Sequence, residues 1–239
     1  MDSSLIDETG IQAQGISELF AMRKCIGCEA RMLRGESFVC AYCQAHLPFT
    51  YEELTPYDNT TARLLWGKCH VERAVAGLLN HSHSNVARMI YHLKYRGNTE
   101  IGEWLGALLA ERLLPHGFFD DIDVVMPLPL HPRRERARGY NQSLAFAKGL
   151  ADVTHIPVET GAVARVRDTP SQATLTPDKR SDNMVDAFRV VNPRLVAGKH
   201  ILLVDDIITS GGSLASCIGE INKENEARVS VLTIGRTVI

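Results

Sequence analysis

The fold is decided by a short stretch of sequence, ILLVDDIITSGGS, which runs from Ile201 to Ser213. Its first four residues are apolar and predict a short buried strand that ends at Val204. Two acidic residues, three hydroxyl residues and two glycines crowd into the positions that follow. Because ligands of open α/β sheets bind at the carboxyl ends of the strands, this segment predicts a strand, a loop and a helix start at a binding site.

The polar part of this segment has the chemistry of a sugar phosphate site. Its two glycines permit close backbone approach, so that N–H groups and neighbouring hydroxyls can surround a phosphate without a lysine. Two adjacent carboxylates would repel that anion, and we interpret them as acceptors for ribose hydroxyls, with Mg2+ moderating the charge. The acidic residues are Asp205 and Asp206, and the expected phosphate ligands are Thr209, Ser210, Gly211, Gly212 and Ser213.

The segment has two other interpretations. It could be a polar turn in which Asp206 caps a helix and the glycines relieve strain. A P-loop nucleoside triphosphatase also has acidic residues after an apolar strand, but the chain lacks G-x4-G-K-[ST], since Gly198-Lys199 is followed by His200. The dinucleotide fingerprint G-x-G-x-x-G is absent from the sequence as well.

Composition sets the limits for these interpretations. With 239 residues, 45% of them hydrophobic, the chain predicts one substantial domain and one small module, and it is not of the disordered or fibrous class. A formal net charge of -2 argues against a globally basic nucleic-acid binder, although local basic patches remain possible. The N-terminus is acidic and polar, and no apolar run reaches about 20 residues, so we expect a cytoplasmic protein without membrane insertion.

Four cysteines, Cys25, Cys28, Cys40 and Cys43, follow the pattern C-x2-C-x11-C-x2-C. Each C-x2-C can direct two thiolates at one ion, and two such pairs complete a tetrahedral site for Zn2+. Two disulfides or four free thiols are the alternatives, of which disulfides are disfavoured in a cytoplasmic chain. Four thiolates would close the coordination shell, so we expect a structural zinc rather than a catalytic one.

Beyond this knuckle the sequence predicts an α/β fold. We divide the chain into an N-terminal tail (1–20), a zinc knuckle with its linker (21–61) and a larger domain (62–239). Strands alternate with helices in the larger domain, which predicts a mostly parallel sheet with helices on both faces. The predicted strands are 73–79, 122–128, 161–166, 187–191, 200–204 and 228–235, and the predicted helices are 84–95, 101–115, 140–153 and 214–225.

At this point a family resemblance can be stated. The run 201–213 resembles the phosphoribosyl diphosphate signature of type I phosphoribosyltransferases along its whole length. The wider layout resembles the ComF family of competence-associated proteins, with the cysteine knuckle, LKYRG at 93–97 and PLPLHPRRERARGYNQ at 127–142. The resemblance implies a type I phosphoribosyltransferase fold, binding of phosphoribosyl diphosphate with Mg2+, nucleotide metabolism, and a role in natural transformation and DNA uptake alongside other competence proteins.

Positive charge is concentrated in the segment after the second predicted strand. Four arginines fall in one stretch of six residues, which we predict to be part of a loop: Arg133, Arg134, Arg136 and Arg138. Their guanidinium groups suit pyrophosphate, and a phosphate track for single-stranded DNA or a solvated surface are the alternatives. Lys94 near a helix end either complements the helix dipole or, as the resemblance implies, contacts the same anion.

A further loop and the acceptor site complete the expectations. Residues 169–183 contain two prolines and many small polar residues, which is typical of a flap that closes over a bound diphosphate; an ordinary loop is the alternative. Within it the candidate residues are Gln172, Arg180 and Asn183. Phosphoribosyltransferases choose their acceptor base with a separate hood, and since the last predicted strand ends beside Ile239, we expect the knuckle and linker to replace it.

Overall fold

The structure, a computed structural model, describes residues 23–168, 187–223 and 226–238. Its strands are β1 (Ala74–Asn80), β2 (Val124–Pro127), β3 (Val163–Arg165), β4 (Phe188–Val190), β5 (His200–Ile208) and β6 (Arg228–Thr237). Its α-helices are α1 (Ala41–Ala45), α2 (Thr60–Leu65), α3 (Asn85–Tyr95), α4 (Glu100–Leu113), α5 (Pro132–Arg138), α6 (Gln142–Thr154) and α7 (Gly212–Ile221). None of the described helices is both long and apolar enough to cross a membrane.

Four of the strands form one parallel sheet in the order β1-β6-β5-β2. Alternate residues of β5 point to opposite faces of this sheet: Leu202 and Val204 pack with α3, α4 and α6, whereas Ile201 and Leu203 pack with α2 and α7. The predicted α/β class with helices on both faces is therefore confirmed. Since all four strands are parallel, their carboxyl ends meet at one edge, where the loops that follow β2 and β5 are neighbours.

Helix α6 is seated unusually close to α4 because glycine stands at the crossing. A Cβ on Gly149 would lie 1.9 Å from the carbonyl oxygen of Glu103, and one on Gly106 would lie 2.4 Å from that of Phe146. The Asn141 side chain caps α6 by accepting from the Ser143 N–H at 2.9 Å. These contacts fix the first turn of α6 at the carboxyl edge of the sheet, where Ser143 contacts Asp205.

The cysteine knuckle packs onto the larger domain. Cys25, Val39 and Cys43 are buried in the same hydrophobic cluster as α3 and α4. Arg88 of α3 donates a hydrogen bond to the carbonyl oxygen of Gly27 at 2.6 Å. The knuckle and the sheet therefore share a core, while the division of the chain at residues 61 and 62 stays a prediction.

Two of the predicted boundaries at the site differ from the structure. Strand β5 does not end at Val204 but continues to Ile208, because Asp205 and Ile208 still pair with β6 at Thr233 and Arg236. The arginine-rich segment is a helix rather than a loop. Pro132 begins it, the His131 side chain accepts from the N–H of Arg133, and Gly139 ends it in the left-handed conformation.

Two further segments differ from the sequence predictions. Strands β3 and β4 do not join the parallel sheet but pair with each other in an antiparallel ribbon. The segment predicted as a linker, 48–61, is held in place through the buried Glu52. Its carboxylate accepts from the N–H groups of Thr61 and Ala76 and lies 3.2 Å from Arg236 of β6.

Candidate functional site

The two adjacent carboxylates of β5, the acid pair Asp205 and Asp206, occupy different environments. Asp206 is buried, and its Oδ1 lies 2.9 Å from the ammonium group of Lys94 on α3. Within the described residues, its other oxygen, Oδ2, is buried and has no hydrogen-bond partner. Burial of Lys94 opposes its charge, but the attraction of Asp206 outweighs that effect and the pKa of Lys94 is raised.

Asp205 is the more accessible member of the acid pair. Its Oδ1 accepts hydrogen bonds from the Ser143 hydroxyl and from the N–H of Asp206, both at 2.8 Å. Burial and the neighbouring Asp206 raise the pKa of Asp205 to about 7, against the opposing effect of Lys94. This carboxylate therefore changes its charge near neutral pH, at the point where we expect the ribose.

The glycine loop, residues Thr209–Ser213, connects β5 to α7. Gly211 has the left-handed φ of 75° and precedes the first turn of α7, where backbone N–H groups are directed out of the helix. A Cβ at this position would lie 2.9 Å from the Cδ2 of Leu65, so glycine allows α2 to pack against the loop. Concave backbone of this kind at a helix start is suited to an anion.

The arginine helix α5 follows β2, the strand that neighbours β5. Arg133 and Arg136 are exposed, whereas Arg134 pairs with Asp168 at 2.8 Å. Arg138 donates to the side chain of Gln142 in the first turn of α6. Two of the four arginines are thus presented to solvent, and two are partly engaged by other side chains of the protein.

An exposed aromatic pair, which we call the aromatic ledge, lies on α3 and was not singled out from the sequence. Tyr91 and Tyr95 are 49% and 66% exposed, and their ring centroids are 5.2 Å apart. The guanidinium of Arg96 lies 5.8 Å from the Tyr91 ring, and that of Arg138 lies 5.7 Å from the Tyr95 ring. Spacing of four residues along a helix was the available signal, because it places two tyrosines on one face.

A cleft of about 540 Å3 continues from the ledge to the cysteine knuckle. Its walls combine basic, aromatic and imidazole side chains with one carboxylate. The polar and aromatic lining residues are Lys24, Glu29, His83, Arg88, Tyr91 and His92.

The four cysteines converge as predicted. Their Sγ atoms all lie within 4.8 Å of one another, and those of Cys28 and Cys40 are 3.6 Å apart. A tetrahedron with Zn–S distances of about 2.3 Å has sulfur–sulfur edges of about 3.8 Å, so this cluster fits the ion. The Sγ of Cys25 also accepts from the N–H of Cys40 at 3.2 Å, which suits a metal-bound thiolate.

Two contributors to the site come from places that the sequence did not indicate. Ser143, the partner of Asp205, lies on α6, and Lys68 reaches the carbonyl oxygen of Ser210 from the turn after α2. Both are far from the glycine loop in sequence, and no local pattern marks them. The predicted flap residues Gln172, Arg180 and Asn183 lie outside the described residues.

Comparison with known proteins agrees with this architecture. The family model of the phosphoribosyl transferase domain matches residues 141–235. The DNA utilization protein YhgH of Escherichia coli K12 is 31% identical over 153 residues, which cover 63% of this chain and 66% of that protein. Competence protein F of Haemophilus influenzae is 26% identical over 208 residues, which cover 80% of this chain and 87% of that protein.

Among solved structures, glutamine phosphoribosylpyrophosphate amidotransferase from B. subtilis is similar, with 22% identity and a TM-score of 0.42. The match covers 60% of this chain and 30% of that one. The family model spans β5, the glycine loop, α7 and most of β6, together with α6 and its Ser143. The acid pair and the loop therefore belong to a phosphoribosyl transferase domain.

Proposed function

We propose that this chain binds phosphoribosyl diphosphate with Mg2+. The premise is that it carries a phosphoribosyl transferase domain and is a homologue of the ComF-family proteins named for competence and DNA utilization. One observation carries the proposal. A pair of carboxylates and a glycine loop, separated only by Ile207 and Ile208, lie at the carboxyl edge of a parallel sheet. Carboxylates suit vicinal hydroxyls and the loop suits a phosphate, so the ribose 5-phosphate group matches both.

We propose different roles for the two residues of the acid pair in binding. Asp205, oriented by Ser143, accepts hydrogen bonds from ribose hydroxyls. Asp206 has one oxygen on Lys94 and a second buried oxygen without a hydrogen-bond partner among the described residues, which favours an additional donor or cation at that place. Carboxylate oxygens are the ligands that Mg2+ prefers, and the ion, when bound, supplies positive charge to the diphosphate.

The reaction that fits these groups is transfer of the phosphoribosyl unit. The bond between C1 of ribose and the pyrophosphate oxygen breaks, both electrons leave with pyrophosphate, and a nucleophilic acceptor bonds to C1. Arg133 and Arg136 of the arginine helix stabilise the charge that develops on pyrophosphate, and Lys94 is close enough to the acid pair to assist. We propose that Gln172, Arg180 and Asn183 of the segment 169–183 close over the diphosphate.

The cysteine cluster supports a structural role for Zn2+. Its four thiolates leave no open coordination position for a substrate, and the knuckle shares its core with α3 and α4. The ion would hold the knuckle against the helix that bears Lys94 and the aromatic ledge. We propose the cytoplasm as the location in which these thiolates and a nucleotide substrate are available.

Calorimetric titration with phosphoribosyl diphosphate and Mg2+ tests the proposal. We expect one binding site per chain, a loss of at least tenfold in affinity for Asp205→Asn, and unchanged circular dichroism. The substitution keeps the size of the side chain and removes its charge. Absence of binding by the wild-type chain, or equal binding by Asp205→Asn, would falsify the assignment.

A second candidate function is binding of single-stranded DNA, and the aromatic ledge is the observation that favours it. Exposed Tyr91 and Tyr95 offer two faces for stacking bases, and Arg96 and Arg138 offer charge to the phosphates beside them. The cleft continues this surface to the knuckle with Lys24 and Arg88. In this role the chain acts with other competence proteins during DNA uptake.

The two functions are separated by the acid pair. If single-stranded DNA uses the ledge alone, Asp205→Asn leaves DNA affinity unchanged while it weakens the sugar diphosphate. If the DNA backbone enters the sugar phosphate site, the same substitution affects both ligands. Fluorescence anisotropy with a labelled single strand, at two salt concentrations, reads out the difference.

A further inference from the structure

Lys68 joins the glycine loop to a distant part of the chain. Its ammonium group donates to the carbonyl oxygen of Ser210 at 2.6 Å and to that of Leu64 at 2.7 Å. The first contact reaches the loop itself, and the second reaches the last turn of α2. The loop has no lysine in its own sequence, yet the fold brings one to its backbone.

The base of this lysine is fixed to the sheet. The Asn59 side chain caps α2 by accepting from the N–H of Ala62 at 2.9 Å. Its amide group donates to the carbonyl oxygen of Ala74 in β1 at 2.8 Å. Lys68 therefore extends from the turn after a short helix that is itself tied to β1.

The contact at Ser210 determines the direction of one N–H group in the loop, that of Gly211. The described peptide bonds are trans, and in a trans peptide the carbonyl and the following N–H point in opposite directions. When Lys68 holds the Ser210 carbonyl, the N–H of Gly211 is turned away from Lys68. Gly211 adopts φ of 75° and packs on Leu65, so the orientation is supported from both ends of the peptide.

We propose that Lys68 is a positioning residue for the glycine loop and sets its affinity for the 5-phosphate of the sugar. It fixes the Ser210–Gly211 peptide so that its N–H faces an anion, and it brings positive charge to a loop that has none of its own. This inference rests on the proposed function of the loop as the phosphate site. A lysine that only complemented the carboxyl end of α2 would need the bond to Leu64 but not the bond to Ser210.

Lys68→Met tests the inference, since it keeps the aliphatic stem and removes the ammonium group. Calorimetry is carried out with ribose 5-phosphate and, separately, with inorganic pyrophosphate. We expect the affinity for ribose 5-phosphate to fall about tenfold, because hydrogen bonds from a charged donor are lost, while the affinity for pyrophosphate stays unchanged. Lys68→Arg should recover part of the loss, and Lys148→Met, at an exposed position of α6, is the matched control.

A second measurement does not depend on any ligand. Amide hydrogen exchange at Gly211 should be faster in Lys68→Met than in wild type, while exchange in the middle of β5 stays the same. Equal binding of ribose 5-phosphate by wild type and Lys68→Met overturns the inference and leaves the proposed function standing. Equal losses for both ligands also overturn it, and failure of the wild type to bind ribose 5-phosphate removes the proposed function together with the inference.

Discussion

The Nζ of Lys94 lies 2.9 Å from the Oδ1 of Asp206, so that an ion pair joins α3 to β5 directly beside the candidate site. The Asp206 side chain is only 4% exposed, and that of Lys94 is 25% exposed. Removing one partner of a buried ion pair leaves an uncompensated charge, which costs more than the pair itself contributes. Helix α3 is consequently coupled to the acid pair before any ligand is bound.

The first prediction concerns this ion pair. Lys94→Met should lower the free energy of unfolding by about 3 to 5 kcal/mol, because Asp206 stays buried without its cation. Adding Asp206→Asn to Lys94→Met should return part of that loss. Urea denaturation of the wild type, both single variants and the double variant measures the coupling, and strictly additive effects would contradict it. The exposed Lys148→Met should change stability by less than about 0.5 kcal/mol.

The second prediction is a pH dependence set by Asp205, whose pKa burial and Asp206 raise to about 7. The ionised carboxylate is the form that accepts ribose hydroxyls, so affinity for phosphoribosyl diphosphate should increase between about pH 6 and about pH 8. The ligand titrates in this range as well. For that reason the measured quantity is the difference between wild type and Asp205→Asn, and a difference that does not vary with pH would contradict the assignment.

The same raised pKa acts on stability in the opposite direction. Because the folded state holds the proton of Asp205 more tightly than the unfolded chain, its contribution is full below the ordinary pKa of 3.8 and is lost as the pH rises to about 7. Asp205→Asn should remove this loss. The free energy of unfolding of Asp205→Asn should therefore rise relative to that of the wild type as the pH increases from 3.8 to about 7.

Local patterns in the sequence were sufficient for most of the fold. The Ser84 cap, for example, indicated where α3 begins, and the apolar repeat that starts at Ile101 indicated α4; both helices are present. The predicted end of β5 at Val204 was wrong, because that prediction relied on the general depletion of acidic residues in strands. Asp206 stays in the strand since Lys94 compensates it, and that partner lies on another element.

The site was less accessible to prediction for the same physical reason. Only Ile207 and Ile208 separate the acid pair from the glycine loop, so the sequence showed them together. Ser143 and Lys68 act on those residues from α6 and from the turn after α2, and only the tertiary fold makes them neighbours. The sequence prediction of a loop for the arginine segment was wrong, because Pro132 begins a helix there and Gly139 ends it.

The third prediction concerns the metal. The purified chain should contain one zinc ion, which Cys43→Ser should lose and Cys69→Ser should keep, because Cys69 lies outside the four-cysteine cluster. Structural zinc sites have apparent binding free energies of about 10 to 16 kcal/mol, so removal should destabilise the knuckle. Since Cys25 and Cys43 are also buried against α3 and α4, a chelator should lower the thermal midpoint of the entire domain. Elemental analysis and calorimetry measure both effects, and an unchanged midpoint after zinc loss would oppose this coupling.

The fourth prediction separates the arginines of α5. Arg133→Ala and Arg136→Ala should each weaken pyrophosphate binding about tenfold, because both side chains are exposed and hydrogen bonds between ions are strong. Arg134→Ala should have a smaller effect, since Asp168 already engages that guanidinium at 2.8 Å. Arg194→Ala, at an exposed position outside α5, is the control. Equal losses for all four variants would indicate a general effect of net charge instead of a site.

The fifth prediction tests the aromatic ledge as a surface for single-stranded DNA. Tyr91→Ala and Tyr95→Ala should each reduce affinity for a single strand by about 1 to 3 kcal/mol, which is the value of stacking one base on an aromatic ring. Tyr57→Ala is the matched control, because Tyr57 is as exposed as Tyr95 but lies before α2. Removing a neutral ring should leave the salt dependence of binding unchanged, whereas Arg96→Ala should make that dependence shallower. Fluorescence anisotropy at two salt concentrations measures both quantities. Equal affinities for wild type and the two ledge variants would mean that DNA, if it binds, uses the arginine helix or the cleft beside the knuckle instead.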